Sequence, residues 1–242
     1  MDDLTRIARR ALPLVDLTSL NEDDDAAVAE SLCARAQTPA GPVAAVCLMP
    51  ALVPLAVEHL AGTAVRVATV ANFPTGAPDS SAAARQTADA VAAGADEVDV
   101  VAPWRAWLAG DRDAVRTLVA ACREACAGRA HLKVILESGS LPAADAVQAL
   151  AADALGAGAD FVKTSTGKVG QGATLEAARA MLTAISDAGA SAGFKAAGGI
   201  RSTAQAAEYL ALADELLGPG WATPQTFRLG ASGLLDDLLA QL

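Results

Sequence analysis

Histidine, aromatic residues and positive charge are all scarce in this chain of 242 residues, and each shortage narrows its chemistry. Only His59 and His131 are present. The first falls on a predicted helix and the second at the start of a predicted strand, so neither a Ser-His-Asp set nor a metal cluster can be assembled around them. Aromatics make up 3% of the residues. The apolar content is therefore mostly Ala, Leu and Val, which favour helix (Ala, Leu) and strand (Val) and together point to an α/β protein. Trp104, Trp107 and Trp221 read as anchors of loops and helices rather than as a stacking site. The formal net charge is −10, which argues against nucleic acid as a partner, because phosphate backbones need a basic surface. A small anion needs only a local positive pocket and stays possible.

Other features are missing altogether. The start, Met-Asp-Asp-Leu-Thr-Arg-Ile-Ala-Arg-Arg, has no apolar stretch of the secretory kind, so a cytoplasmic protein is expected. Residues 36–57 carry no charge, but Pro39, Pro42, Pro50 and Pro54 interrupt them. They read as loop, strand and helix start, not as a membrane span. The four cysteines, 33, 47, 122 and 126, are expected to be reduced thiols. No Gly-x-Gly-x-x-Gly follows a strand, so a dinucleotide site is not indicated.

What is present is a recurring unit. After a lead-in helix over Asp3–Leu12 come eight short apolar runs: Leu14–Thr18, Val43–Leu48, Val65–Asn72, Glu97–Ala102, His131–Glu137, Phe161–Thr166, Gly193–Ala197 and Thr226–Leu229. Their starts lie 22 to 34 residues apart, and Ala-rich amphipathic segments fill the gaps. The motif Ala93-Gly-Ala-Asp96 returns as Ala157-Gly-Ala-Asp160, each time between a predicted helix and a predicted strand. Eight βα units of this size predict a single (β/α)8 barrel over residues 1–242, with a doubly wound open sheet as the alternative. No linker composition divides the chain.

In such a barrel the chemistry belongs at the C-terminal strand ends. There the sequence places Asp16 and Thr18, Cys47, Asn72, Asp99, Glu137, Lys163 with Thr166, Gly167 and Lys168, Lys195 with Gly198, Gly199 and Arg201, and Gly230 with Ser232. Lys163 and Lys195 on adjacent strands stand out. Two amines about 4 Å apart at an effective dielectric near 20 repel by about 4 kcal/mol. That would bring one of them from about 10.4 down to roughly 7.5 and leave a neutral amine able to attack a carbonyl. Asp99 could hold the other in its charged form. Singly, each lysine could instead snorkel from a strand end, and Asp99 could be only an ion-pair partner. The glycine loops after strands 7 and 8 suit a phosphate. Lys168 and Arg201 could add charge there or simply face solvent. Cys47 could line a pocket or pack as a small core residue.

Several segments resemble deoxyribose-phosphate aldolases. They are Phe161-Val-Lys-Thr-Ser-Thr-Gly-Lys168, Gly193-Phe-Lys-Ala-Ala-Gly-Gly-Ile-Arg201, Leu14-Val-Asp-Leu-Thr18, Val46-Cys47, Ala68-Thr-Val-Ala-Asn-Phe-Pro-Thr-Gly76, Gly94-Ala-Asp-Glu-Val-Asp-Val-Val101, Leu132-Lys-Val-Ile-Leu-Glu137 and Arg228-Leu-Gly-Ala-Ser232. The resemblance implies a class I carbon–carbon lyase that cleaves 2-deoxy-D-ribose 5-phosphate to D-glyceraldehyde 3-phosphate and acetaldehyde. It implies a Schiff base on Lys163, a pKa-lowering role for Lys195, and a proton relay through Asp99 and Lys195. Asp16 and Thr18 would meet the substrate hydroxyls, Cys47 would line the pocket, and Gly167, Gly198, Gly199, Gly230 and Ser232 would hold the phosphate. No metal or organic cofactor is implied. Other readings are a different phosphosugar Schiff-base aldolase or transaldolase, and a non-catalytic sugar-phosphate-binding barrel. Gly233 stands where many members have a second serine, and the chain ends Leu-Leu-Ala-Gln-Leu242 where some have a tyrosine. A homodimer would need an exposed apolar helix face, and none is identifiable from the sequence.

Overall fold

Eight parallel strands close into a barrel in the computed structural model, which describes residues 3–189 and 191–242. The strands are β1 (Val15–Thr18), β2 (Ala45–Leu48), β3 (Arg66–Ala71), β4 (Glu97–Val101), β5 (His131–Ile135), β6 (Phe161–Lys163), β7 (Gly193–Ala197) and β8 (Phe227–Ala231). Each pairs with its neighbours in sequence, and β8 pairs with β1 to complete the ring. This is the (β/α)8 barrel that the eight apolar runs predict.

The lead-in helix α1 spans Asp3–Ala11 and passes into a 3-10 turn over Leu12–Leu14. Around the barrel lie α2 (Ala26–Arg35), α3 (Val53–His59), α4 (Ser80–Ala92), α5 (Trp104–Leu108), α6 (Arg112–Cys126), α7 (Ala144–Gly156), α8 (Leu175–Asp187), α9 (Thr203–Leu217) and α10 (Leu234–Ala240). Side-chain caps set several starts. Asp25, Asp79, Asp111, Thr174 and Ser202 each accept a hydrogen bond from a first-turn N–H of α2, α4, α6, α8 and α9, satisfying donors the helix itself leaves free. None of the described helices is long and apolar enough to cross a membrane.

The repeated Ala-Gly-Ala-Asp motif has a structural reason. Gly94 and Gly158 take φ of +100° and +102° just past α4 and α7, a conformation that ends a helix and suits glycine. The aspartate then locks the next strand to its neighbour. Asp96 donates its N–H to the Val67 carbonyl and accepts from the Val67 N–H at 2.8 Å. Asp160 does the same with Leu132, with the side-chain bond at 2.7 Å. One residue makes a full rung at the bottom of β4 and of β6.

Most strand boundaries shift by one to three residues from the sequence reading, and a few differences have a clear physical reason. Gly230 and Ala231 belong to β8, not to the loop after it, because they pair with Asp16 and Leu17 of β1. β6 ends at Lys163 rather than Thr166. The Thr164 hydroxyl then replaces a ladder rung, donating to the Ala197 carbonyl and accepting from the Ala197 N–H, both at 2.9 Å. Residues 37–42 form a two-rung antiparallel ladder, Gln37–Thr38 against Gly41–Pro42, that carries no core residue.

Two environments share the barrel interior. Ala45 and Cys47 of β2 with Ala68 and Val70 of β3 form a small apolar cluster under Leu20. The other strands put Asp16, Glu97, Asp99, Lys133, Lys163, Lys195 and Arg228 inside, all buried. The large apolar core lies outside the sheet, under the helices.

Candidate active site

A cavity of about 260 Å³ opens at the C-terminal end of the barrel. Of the residues singled out from the sequence, Thr18, Lys163, Thr166, Gly167, Lys168, Gly198, Gly199, Arg201, Gly230 and Ser232 line it. Asp16, Cys47, Asp99 and Lys195 do not. They lie below it, fully buried. Lys163 joins the two levels, because β6 stops at this residue and its amine reaches the floor of the cavity.

Asp99 is the hub of the lower level. Its Oδ2 accepts from Lys163 Nζ and from Lys195 Nζ, each at 2.8 Å. The two amines therefore sit within twice that distance of each other, bridged by one carboxylate oxygen. Lys133 Nζ donates to Asp99 Oδ1 at 3.0 Å and to Glu97 Oε2 at 2.5 Å. Asp16 Oδ2 faces Lys195 Nζ at 2.5 Å. Arg228 spans the remaining carboxylates, reaching Asp16 Oδ1 at 2.6 Å and Glu97 Oε1 at 2.6 Å.

The charges hold each other in place. Burial opposes the charge on Lys195, but Asp16 and Asp99 outweigh it and raise its pKa above the ordinary lysine value. Burial likewise works against ionised Asp99, yet Lys133, Lys163 and Lys195 hold its carboxyl well below the usual range. Asp16 is depressed against burial by Lys195 and Arg228, and Glu97 by Lys133 and Arg228. Charged groups this deep persist only when paired. Asp16, which the resemblance assigned to a substrate hydroxyl, spends both oxygens on Lys195 and Arg228. Cys47 is fully buried, and burial raises its thiol pKa, so it stays protonated at neutral pH.

Two close approaches depend on glycine. A Cβ on Gly230 would lie 2.9 Å from Lys195 Cε. One on Gly193 would lie 2.3 Å from the Phe161 ring, which packs beneath the Lys133 and Arg228 cations at 5.9 and 5.6 Å.

The cavity wall is braced from behind. Glu137, buried and at φ +53°, accepts from the Thr166 hydroxyl at 2.6 Å and its N–H at 3.2 Å. The Lys168 N–H donates in turn to the Thr166 hydroxyl. Across the mouth, Asp24 accepts from Ser19 and Asn21, which also line the cavity. Among the described residues, neither Lys168 nor Arg201 forms an ion pair within 4 Å, and both are exposed.

Lys133, Glu97 and Arg228 belong to the site but went unread as functional groups. The sequence signal for them is that each is a charge inside an apolar strand. Glu97 and Asp99 are also two apart, which puts both on one face of β4.

A family model described as DeoC/LacD family aldolase matches residues 10–223. The chain belongs to this aldolase family. Solved structures agree. A protein of Coccidioides immitis assigned as deoxyribose-phosphate aldolase is 28% identical, with a TM-score of 0.83 over 100% of this chain and 88% of that one. One of Toxoplasma gondii with the same assignment is 25% identical, with a TM-score of 0.89 over 98% and 96%. A tetrameric deoxyribose phosphate aldolase from Aeropyrum pernix, 24% identical with a TM-score of 0.76 over 99% and 92%, shares the fold. Among the described residues of this aldolase, no group of three or more His, Cys, Asp or Glu side chains is placed to hold a metal ion.

Proposed function

We propose that this aldolase cleaves 2-deoxy-D-ribose 5-phosphate to D-glyceraldehyde 3-phosphate and acetaldehyde through a Schiff base on Lys163, and that it also runs in reverse. The observation that carries the reading is the placement of Lys163. Its amine lies at the floor of the cavity, on the same Asp99 oxygen as Lys195. Lys195 is held charged by Asp16 and Asp99, so the repulsion between the amines is relieved when Lys163 gives up its proton.

The neutral amine condenses with the aldehyde carbon of the open-chain sugar and releases water. The protonated imine is an electron sink. Removal of the C3 hydroxyl proton breaks the C2–C3 bond, and its electron pair moves into an enamine of acetaldehyde. Glyceraldehyde phosphate departs, the enamine carbon is protonated, and water frees acetaldehyde. Asp99, bonded to both the Lys163 and the Lys195 amines, serves the proton steps with Lys195 through water. The substrate phosphate sits toward Gly167, Gly199 and Ser232, where Lys168 and Arg201 supply positive charge.

Borohydride trapping with acetaldehyde tests the covalent step, and turnover of deoxyribose phosphate against fructose bisphosphate tests the substrate. A mass increase on the peptide bearing Lys163 is expected, with preferential turnover of the deoxy sugar. No adduct on any lysine would sink the Schiff-base reading, and preference for fructose bisphosphate would sink the substrate reading.

A further inference from the structure

Seven charged side chains fill one half of the barrel interior: the cations Lys133, Lys163, Lys195 and Arg228 and the anions Asp16, Glu97 and Asp99. The set carries one surplus positive charge when every member is ionised. Lys163 is the member that lines the cavity. It is therefore the one whose proton can leave to solvent and bring the buried set to neutrality. The surplus exists because of Lys133. Without it, three cations would face three carboxylates, and loss of the Lys163 proton would leave a buried net negative charge.

We infer that Lys133 is a positioning residue that, through Asp99, sets the pH at which Lys163 becomes a nucleophile. It does so in two ways. Its bond to Asp99 Oδ1 at 3.0 Å turns the carboxylate so that Oδ2 is presented to Lys163 and Lys195. Its charge supplies the surplus cation. Every wall of the interior bears on this. β4 faces Lys133 with Glu97 and Asp99, β1 with Asp16, β6 with Lys163, β7 with Lys195 and β8 with Arg228. β2 offers Ala45 and Cys47, and β3 offers Ala68 and Val70 above Arg66. Arg66, 3.7 Å from Glu97 at the bottom, is 42% exposed and screened by solvent.

The inference rests on Lys163 being the reactive amine, and its test needs no sugar turnover. Carbamoylation of Lys163 by cyanate, followed by peptide mass against pH, reports the neutral amine directly. The acid limb of kcat/KM for the aldolase reaction is the second readout. At about 6 Å and an effective dielectric near 20, removing one cation moves the half-point of both curves up by about 2 pH units for Lys133→Met. The double variant Lys133→Met/Glu97→Gln restores the surplus charge, and both curves return most of the way. Glu97→Gln alone moves them down, which keeps the test open if Lys133→Met does not fold. Unmoved curves in the single variants, or a double variant no nearer to the parent than Lys133→Met, would overturn the inference. A moved carbamoylation curve without turnover of deoxyribose phosphate would retire the substrate reading and leave this one standing.

Discussion

Replacing Gly230 by alanine adds one methyl group where the structure leaves no room for it. The new Cβ would stand 2.9 Å from Lys195 Cε, 3.0 Å from Ala197 Cβ and 3.5 Å from the Ala196 carbonyl. Carbon atoms are comfortable at about 3.5–4.0 Å, so something must give by about half an ångström or more. The backbone cannot easily do so, because Gly230 is paired with Asp16 on one side and Ala197 on the other. Lys195 must move instead. It is fully buried and bound to Asp16 at 2.5 Å and Asp99 at 2.8 Å, so its retreat stretches the contacts that keep it charged.

Overpacking of this kind costs about 1–3 kcal/mol of stability. A misplacement of about 1 Å at a reacting centre costs about a hundredfold in rate, so half that displacement should lower kcat by about tenfold. The assay is kcat and KM measured separately for cleavage of deoxyribose phosphate, with a thermal melt as the folding control. The expected outcome for Gly230→Ala is a fall in kcat with KM little changed. A rise in KM at unchanged kcat would show that Gly230 serves only the phosphate end. Unaltered kinetics would show that Lys195 has room to move, and the packing argument would fail.

Three other perturbations separate the parts of the site. Lys195→Leu removes the cation that shares Asp99 Oδ2 with Lys163 and half of the proton relay; kcat/KM at neutral pH should fall at least about 10²–10³-fold and recover only in part as pH rises, and near-full activity at pH 7 would refute the charge argument. Gly233→Ser places a hydroxyl at the cavity wall where a Cβ meets nothing within 4 Å; KM for the phosphorylated sugar should drop a few-fold, by about one hydrogen bond's worth, while an unchanged KM would mean the hydroxyl does not reach the phosphate. Asp16, Glu97 and Asp99 all have folded-state pKa values below their ordinary ones; their contribution to stability is present above about pH 4 and is lost as pH falls through the folded values. Urea midpoints should hold steady from pH 7 to 5 and then decline, and equal midpoints at pH 7 and pH 3 would contradict the pairing.

The barrel was legible because its strands are buried on both faces, so each appears as an apolar run of limited length, and because glycines mark the helix ends. The eighth strand was cut short for an instructive reason. Gly230-Ala231 looks like a turn in isolation, yet the missing side chain of Gly230 is what leaves room for Lys195 beside β8. The ladder at residues 37–42 and the five-residue α5 left no mark, since neither spans enough residues to show a period.

Within the site, pairing was readable and saturation was not. Lys163, Lys195 and Asp99 stand out as charges near strand ends, and the fold brings all three onto one oxygen. Asp16 looked equally suited to meet a substrate hydroxyl. Only the three-dimensional arrangement shows Arg228 and Lys195 taking its two oxygens. Lys133, level with Asp99 on the neighbouring strand, and Glu97, two residues before Asp99, pass as ordinary strand residues, although Lys133 completes the bonding of Asp99 and Glu97 holds Lys133.

The division of the interior explains why the charges gather where they do. Above Arg66 at the solvent-exposed bottom of β3, β2 and β3 contribute small apolar side chains under Leu20, so no buried counter-charge comes from that side. The ionic set on the opposite side must then satisfy itself, and a self-satisfied set of fixed members has few protonation states open to it. Six of its seven members are sealed below the cavity, and Lys163 alone lines it. A proton can therefore leave from one place only, and that place is where β6 ends and the cavity begins. The short strand delivers the Lys163 amine to the cavity floor, above the six sealed members of the set, and the proposed role of Lys133 turns on that placement.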